Sequence, residues 1–233
     1  MKMIDKMPMN IVNLFQQGGP VMMVLLAMSV LALTIILLKL FQFFRSGLRR
    51  SGFVDPVMAA LHNGQAADAL AQLQRQRNPV ARVMECALAC AADTKMAAKD
   101  IEAEVSRVGS AQIRNLESWL RGLSAIAHLS PLLGLLGTVT GMIAAFMRLE
   151  EAGSRVDPSI LSGGIWEALL TTAFGLTVAI PAMAAFYYLE GEVDQVRASM
   201  KDATVRVLVH FGKSPAYLSS RDDEKLEDET HGL

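Results

Sequence analysis

The chain has 233 residues, of which 52% are hydrophobic, and a formal net charge of −1. A charge so close to zero gives no support to nucleic-acid binding, and no basic patch is interleaved with aromatics. The two cysteines, Cys86 and Cys90, complete no zinc set and do not form a CxxC pair, so they read as small apolar core residues in a reducing compartment.

How the apolar residues are distributed decides the class. From Val21 to Leu38 no residue is charged, and only Ser29 and Thr34 interrupt the run. As a helix it would measure roughly 27 Å, close to the hydrocarbon thickness of a bilayer. It starts too far in, and lacks a small-residue cleavage site before Arg45–Arg50, to be a signal peptide. It is expected to stay as an anchor. The expected organisation is a tail at 1–17, a first span at 18–44 and a helical domain at 45–122. A second span at 123–147, a loop at 148–159 and a third span at 160–189 follow. The chain then ends in a helix at 190–212 and a charged, disordered tail at 213–233.

Inside the 45–122 insert, Leu61, Leu70 and Leu73 flank an Asn63-Gly64 turn, which predicts a short helical hairpin. Asn78-Pro79 reads as a cap followed by a first-turn proline. Val80, Val83, Met84, Ala87 and Leu88 then repeat at helical spacing. Ile101, Val105, Val108, Gln112, Leu116 and Trp119 continue a stripe with no proline before Pro131. That continuity predicts one helix running from the insert straight into the second span. Lys39, Arg45, Arg49 and Arg50, then Arg107, Arg114 and Arg121, then Arg197, Lys201 and Arg206 all flank one side of the spans. The positive-inside rule therefore places 45–122 and the C-terminus in the cytoplasm and the N-terminus and 148–159 outside.

Two stripes in the later spans carry the candidate chemistry. Gly134, Thr138, Gly141 and Ala145 share a helix face, and Gly137 and Gly141 form a GxxxG beyond Pro131. In the third span, which also contains Pro181, Ala168, Thr172, Gly175, Ala179 and Ala182 form a second stripe. Small residues let helices approach closely in lipid, so Gly134, Gly137, Gly141, Gly175, Pro131 and Pro181 are helix-packing candidates. Glu167, with Thr171 one turn on, is the lone ionisable group of the third span. A carboxylate kept in hydrocarbon faces other protein, a pore or an ion path. If both stripes line one cavity, Thr138 and Thr172 supply its main polar contacts, with Thr138 and Thr140 able to face Glu167; Thr138, Glu167, Thr171 and Thr172 are the ion-path candidates. His128 reads as a structural hydrogen-bonder. No lysine completes a P-loop after the glycines, and HExxH, GxSxG and an intramembrane protease pair are missing. No enzyme, metal or cofactor is expected.

The segments Gly134-Leu-Leu-Gly-Thr-Val-Thr-Gly141 and Gly164-Ile-Trp-Glu-Ala-Leu-Leu-Thr-Thr-Ala-Phe-Gly175, with Ala179-Ile-Pro-Ala182, resemble the ExbB/TolQ/MotA family of proton-channel subunits. The likeness covers residues 11–210 and points to the three-span ExbB and TolQ branch. It implies an all-α integral membrane protein: three transmembrane helices with long helical cytoplasmic extensions. It further implies a homopentamer in the bacterial inner membrane around two ExbD- or TolR-like single-span subunits. That partner would carry the proton-bearing aspartate, and a TonB- or TolA-like periplasmic transducer would be driven. The family's pore threonines correspond to Thr138 and Thr172 and its span-three glutamate to Glu167. Thr140 stands where an aromatic is common. A TolQ-like subunit and a non-conducting membrane scaffold are the alternatives.

Overall fold

The computed structural model describes residues 19–48, 52–151 and 158–213. The expected 1–17 tail, Arg49 and Arg50, residues 152–157 of the outer loop, and the charged tail beyond Lys213 lie outside the described residues. Among those described, every regular element is an α-helix: α1 (Gly19–Ser46), α2 (Val54–His62), α3 (Ala66–Gln74), α4 (Pro79–Ala92), α5 (Ala98–Glu117), α6 (Leu120–Glu151) and α7 (Pro158–His210). Three of the helical stretches are long and apolar enough to cross a membrane: Gly19–Ser46, Ala98–Glu151 and Leu161–His210. The fold is that of an all-α membrane protein.

The expected single helix through the insert and second span is corrected at one point. Ser118 leaves helical geometry with φ −52° and ψ 136°, and Trp119 follows at φ 68°. A bulky L-residue rarely adopts that left-handed region. The apolar stripe runs on to Leu116, which is buried, but Trp119 is 73% exposed and does not belong to it. α6 restarts immediately, with Leu123 N donating to the Trp119 carbonyl at 3.0 Å.

The chain forms two compact units. One comprises the apolar part of α1, all of α6 and α7 as far as Leu189. Met22, Leu25, Ala32 and Ile35 of α1 are buried in it, whereas Val30, Leu31, Leu33, Leu37 and Leu38 lie exposed on other faces. That is the pattern of a helix whose outer surface meets lipid rather than water.

The second unit holds residues 40–118 and the end of α7. Here α2 packs on α3, α3 on α4 and α4 on α5. The predicted hairpin is present, with Gly64 at φ 74° in the turn between α2 and α3. Asn78 caps α4, accepting from Val80 N at 2.9 Å, while its amide donates to the Gly47 carbonyl at 3.0 Å. Val80, Val83, Met84, Ala87 and Leu88 are all buried, as are Val193, Val196, Met200 and Val207 of α7. Arg197 bridges to Glu117 at 2.5 Å and Arg206 to Asp55 at 3.2 Å. Exposed pairs of this kind add little, so the apolar core carries the stability. α5 and the end of α7 leave a groove of about 540 Å³, lined by Val105, Ile113, Met200 and Leu208 among others.

Cys86 and Cys90 are half-buried on one face of α4, with their sulfurs 4.0 Å apart. Burial, reinforced by Cys90, pushes the Cys86 thiol up to about 11. The thiolate is the reactive form, and an ordinary thiol ionises near 8.5, so at pH 8 Cys86 should alkylate on the order of 100-fold more slowly. Iodoacetamide labelling followed by peptide mass spectrometry reads this directly. The rate should climb about tenfold per pH unit towards 11, and a plateau near pH 9 would contradict the assignment.

Candidate functional site

Within the membrane unit, α6 and α7 pack antiparallel along a seam of small residues. A Cβ added to Gly134 would lie 3.0 Å from both the Thr171 carbonyl and Thr172 Cα. One on Gly175 would lie 2.6 Å from the Ser130 carbonyl and 3.1 Å from Gly134 Cα. Gly137 faces the Thr171 side chain, Gly141 meets Ala168, and Gly164 abuts the Ala145 methyl. Backbone against backbone at this range maximises dispersion contacts, which drive helix association where lipid removes the hydrophobic difference.

The seam has a polar centre. Thr172 Oγ1 donates to the Gly134 carbonyl at 3.0 Å. Thr171 Oγ1 donates chiefly to its own Ala168 carbonyl at 2.7 Å, with a longer contact of 3.3 Å to Gly134. In a helix, Gly134's carbonyl is also the acceptor for the Thr138 N–H. One carbonyl thus gathers Thr138, Thr171 and Thr172. Thr172 and Thr138 are half-buried, so their oxygens keep lone pairs available towards the edge of the seam. Thr171 is only 2% exposed and sealed between the helices. Its hydroxyl serves the seam.

Glu167 lies elsewhere on α7. Five residues of helix turn a side chain by about 140°, so Glu167 and Thr172 occupy opposite edges of the Ala168–Thr171–Gly175 stripe. Glu167 is half-buried. Thr140 is exposed and bonds its own helix at Leu136 and Gly137, 3.0 and 3.2 Å away. Thr138 likewise returns its hydroxyl to the Leu135 carbonyl at 2.7 Å. His128 bonds the Ser124 carbonyl through Nδ1 at 2.7 Å. Pro131 is half-buried and Pro181 exposed; both stand inside helices. Lacking N–H groups, they leave the carbonyls four residues earlier without their usual partner.

Reasoning from sequence did not single out Ser130, fully buried with its carbonyl against Gly175 and its hydroxyl on Ile126 O at 2.7 Å. Nor did it find the Gly164–Ala145 contact. A Ser four residues before Gly134 extends the same stripe and was the available signal. Among the described residues no group of three or more His, Cys, Asp or Glu could hold a metal ion.

These features define an all-α membrane protein with a tightly paired, glycine-lined helix seam, hydroxyls at its centre and one carboxylate on its flank. Consistent with it, the profile described as the MotA/TolQ/ExbB proton channel family matches residues 68–202. The chain belongs to that family. A Methanothermobacter thermautotrophicus protein described as an ExbB homolog is 28% identical over 79% of this chain and 64% of its own length. The Vibrio cholerae biopolymer transport protein exbB1 is 39% identical over 39% of this chain and 40% of its own. The Tol-Pal system protein TolQ of Haemophilus influenzae is 37% identical over 45% and 47% respectively. The chain thus spans less than two thirds of the length of these relatives.

Proposed function

We propose that the protein is an ExbB-like, proton-conducting subunit of an energy-transducing complex in a bacterial inner membrane. In this reading a homopentamer encloses two ExbD- or TolR-like single-span subunits and energises a TonB-like periplasmic transducer for outer-membrane transport. The N-terminus and the loop at 148–159 are periplasmic; residues 45–122 and the C-terminus are cytoplasmic, as the distribution of Lys and Arg favours. Thr138, Thr172 and Glu167 serve the ion path, with Thr171 holding the helices that position them.

The observation that carries this reading is the hydroxyl cluster on the Gly134 carbonyl. From Arg121 to Arg148, α6 measures about 40 Å, the thickness of a bilayer with its headgroups. Gly134 lies well inside that length, so Thr172 stands within the hydrocarbon, a costly depth for polar atoms without a purpose. Glu167 sits about 7.5 Å further along α7, towards the outer face. One carboxylate there cannot relay a proton across about 30 Å of hydrocarbon. A second acid must come from another chain, which is the part an aspartate-bearing partner helix would play. Each proton moved releases about 2.3 kcal/mol per 100 mV, enough over several protons to bias a packed two-state assembly.

The test is proton uptake by vesicles holding the purified assembly, followed with a trapped pH dye under an imposed potential. Glu167→Gln should lower the rate at least about tenfold at normal assembly, as measured by native mass spectrometry; loss of an ion-path acid removes its step. Undiminished uptake would leave the seam as a mere packing device, the scaffold reading. A TolQ-like role is the second reading, supported by the resemblance to the Haemophilus protein. It differs in the transducer that co-purifies.

A further inference from the structure

Two tryptophans of the membrane unit are exposed: Trp119, just before α6 begins, at 73% and Trp166, near the start of α7, at 52%. Because Gly134 pairs with Thr172 and Gly141 with Ala168, Trp166 lies level with residues near Gly141 on α6. Trp119 is then about 33 Å away along the helix axis. That separation slightly exceeds the hydrocarbon core of about 30 Å and falls inside the full bilayer of about 40–45 Å. The same pairing sets Tyr187 and Tyr188, also exposed, level with Trp119. Arg121, exposed as well, lies two residues beyond it.

Trp119 holds φ 68°, where glycine would be the unstrained choice. No ring pairing or side-chain hydrogen bond involves its indole among the described residues. Among the described residues, then, no side-chain partner offsets that strain. We propose that Trp119 is a lipid anchor: its indole, with Tyr187, Tyr188 and Arg121, occupies the phospholipid headgroup layer at one face of the bilayer, while Trp166 marks the other face. An indole suits that layer, because its ring is apolar and its N–H finds a phosphate or ester oxygen. Arg121 adds a cation for the same phosphates. Together the two tryptophans fix the depth of the unit and so hold Glu167, the neighbour of Trp166, just inside the outer boundary of the hydrocarbon. The partner is a phospholipid surface.

Because the chain contains two tryptophans, a single conservative substitution isolates each. The full-length Trp166→Phe protein is reconstituted in phosphatidylethanolamine–phosphatidylglycerol vesicles whose acyl chains carry bromine either near the glycerol or near the methyl end. Trp119 fluorescence should be quenched roughly twofold more strongly by the shallow bromines. The Trp119→Phe protein should show the same shallow preference for Trp166, and the unsubstituted protein the preference of both. Deep-bromine preference, quenching by aqueous iodide alone, or indifference to all three quenchers would overturn the proposal. The last result would mean that another protein surface, including a second copy of this chain, covers the indole.

Discussion

Gly175→Ala should destabilise the paired helices by about 3 kcal/mol, at the upper end of what overpacking costs. The added carbon would stand 2.6 Å from the Ser130 carbonyl and 3.1 Å from Gly134 Cα, both backbone atoms that no rotamer change can move. α6 and α7 would have to separate, weakening the hydrogen bond from Thr172 to Gly134 at the same time. Gly134→Ala meets Thr171 and Thr172 backbone at 3.0 Å and should cost somewhat less. Gly141→Ala, with its nearest approach a methyl at 3.2 Å, should be the mildest of the three. Gly163→Ala supplies the control. Nothing lies within 4 Å of that position, so replacing a mid-helix glycine should be neutral or stabilise by up to about 1 kcal/mol. Equilibrium unfolding in mixed micelles would give the order 175, 134, 141, 163. Gly175 and Gly163 variants unfolding alike would refute the backbone-contact reading of the seam.

That comparison shows how far the sequence could be read. Gly163 and Gly164 are adjacent and chemically identical, yet only Gly164 faces the partner helix, against Ala145. A stripe at helical spacing proposes a face, whereas the antiparallel register that makes one glycine indispensable depends on long-range packing. The helical class and three long apolar stretches were legible because length and the lack of charge are local properties. The Asn63-Gly64 turn and the Asn78 cap were legible for the same reason. The interruption at Trp119 was not: neither Ser118 nor Trp119 is a helix breaker by type, and the apolar spacing continued past them. The candidate threonines were likewise visible as hydroxyls in an apolar run. Their different surroundings were hidden, because Thr171 and Thr172 differ only in a rotation of about 100° about the axis. That rotation leaves Thr171 2% exposed and Thr172 half-buried.

Thr172→Val should therefore separate from Thr171→Val, although the two substitutions are chemically the same. Valine keeps the shape of threonine and loses its hydroxyl. At position 171 the lost bond is chiefly to a carbonyl of the same helix, 2.7 Å away, and the methyl still fills the space beside Gly137. The assembly should survive with a loss within about 0.6 kcal/mol, the average for an interhelical hydrogen bond in a membrane. At position 172 the lost donor is the one reaching across to Gly134 at 3.0 Å, and with it goes the half-buried oxygen that a proton path would use. Stability should fall by a similar small amount, but proton uptake should fall about tenfold, equivalent to about 1.4 kcal/mol on the barrier. Thr172→Ser, which restores an oxygen at the same Cβ, should recover most of the rate. A purely structural hydroxyl would instead make uptake track assembly in all three variants. The decisive comparison is uptake per assembled complex: equal values for Thr171→Val and Thr172→Val would remove Thr172 from the path.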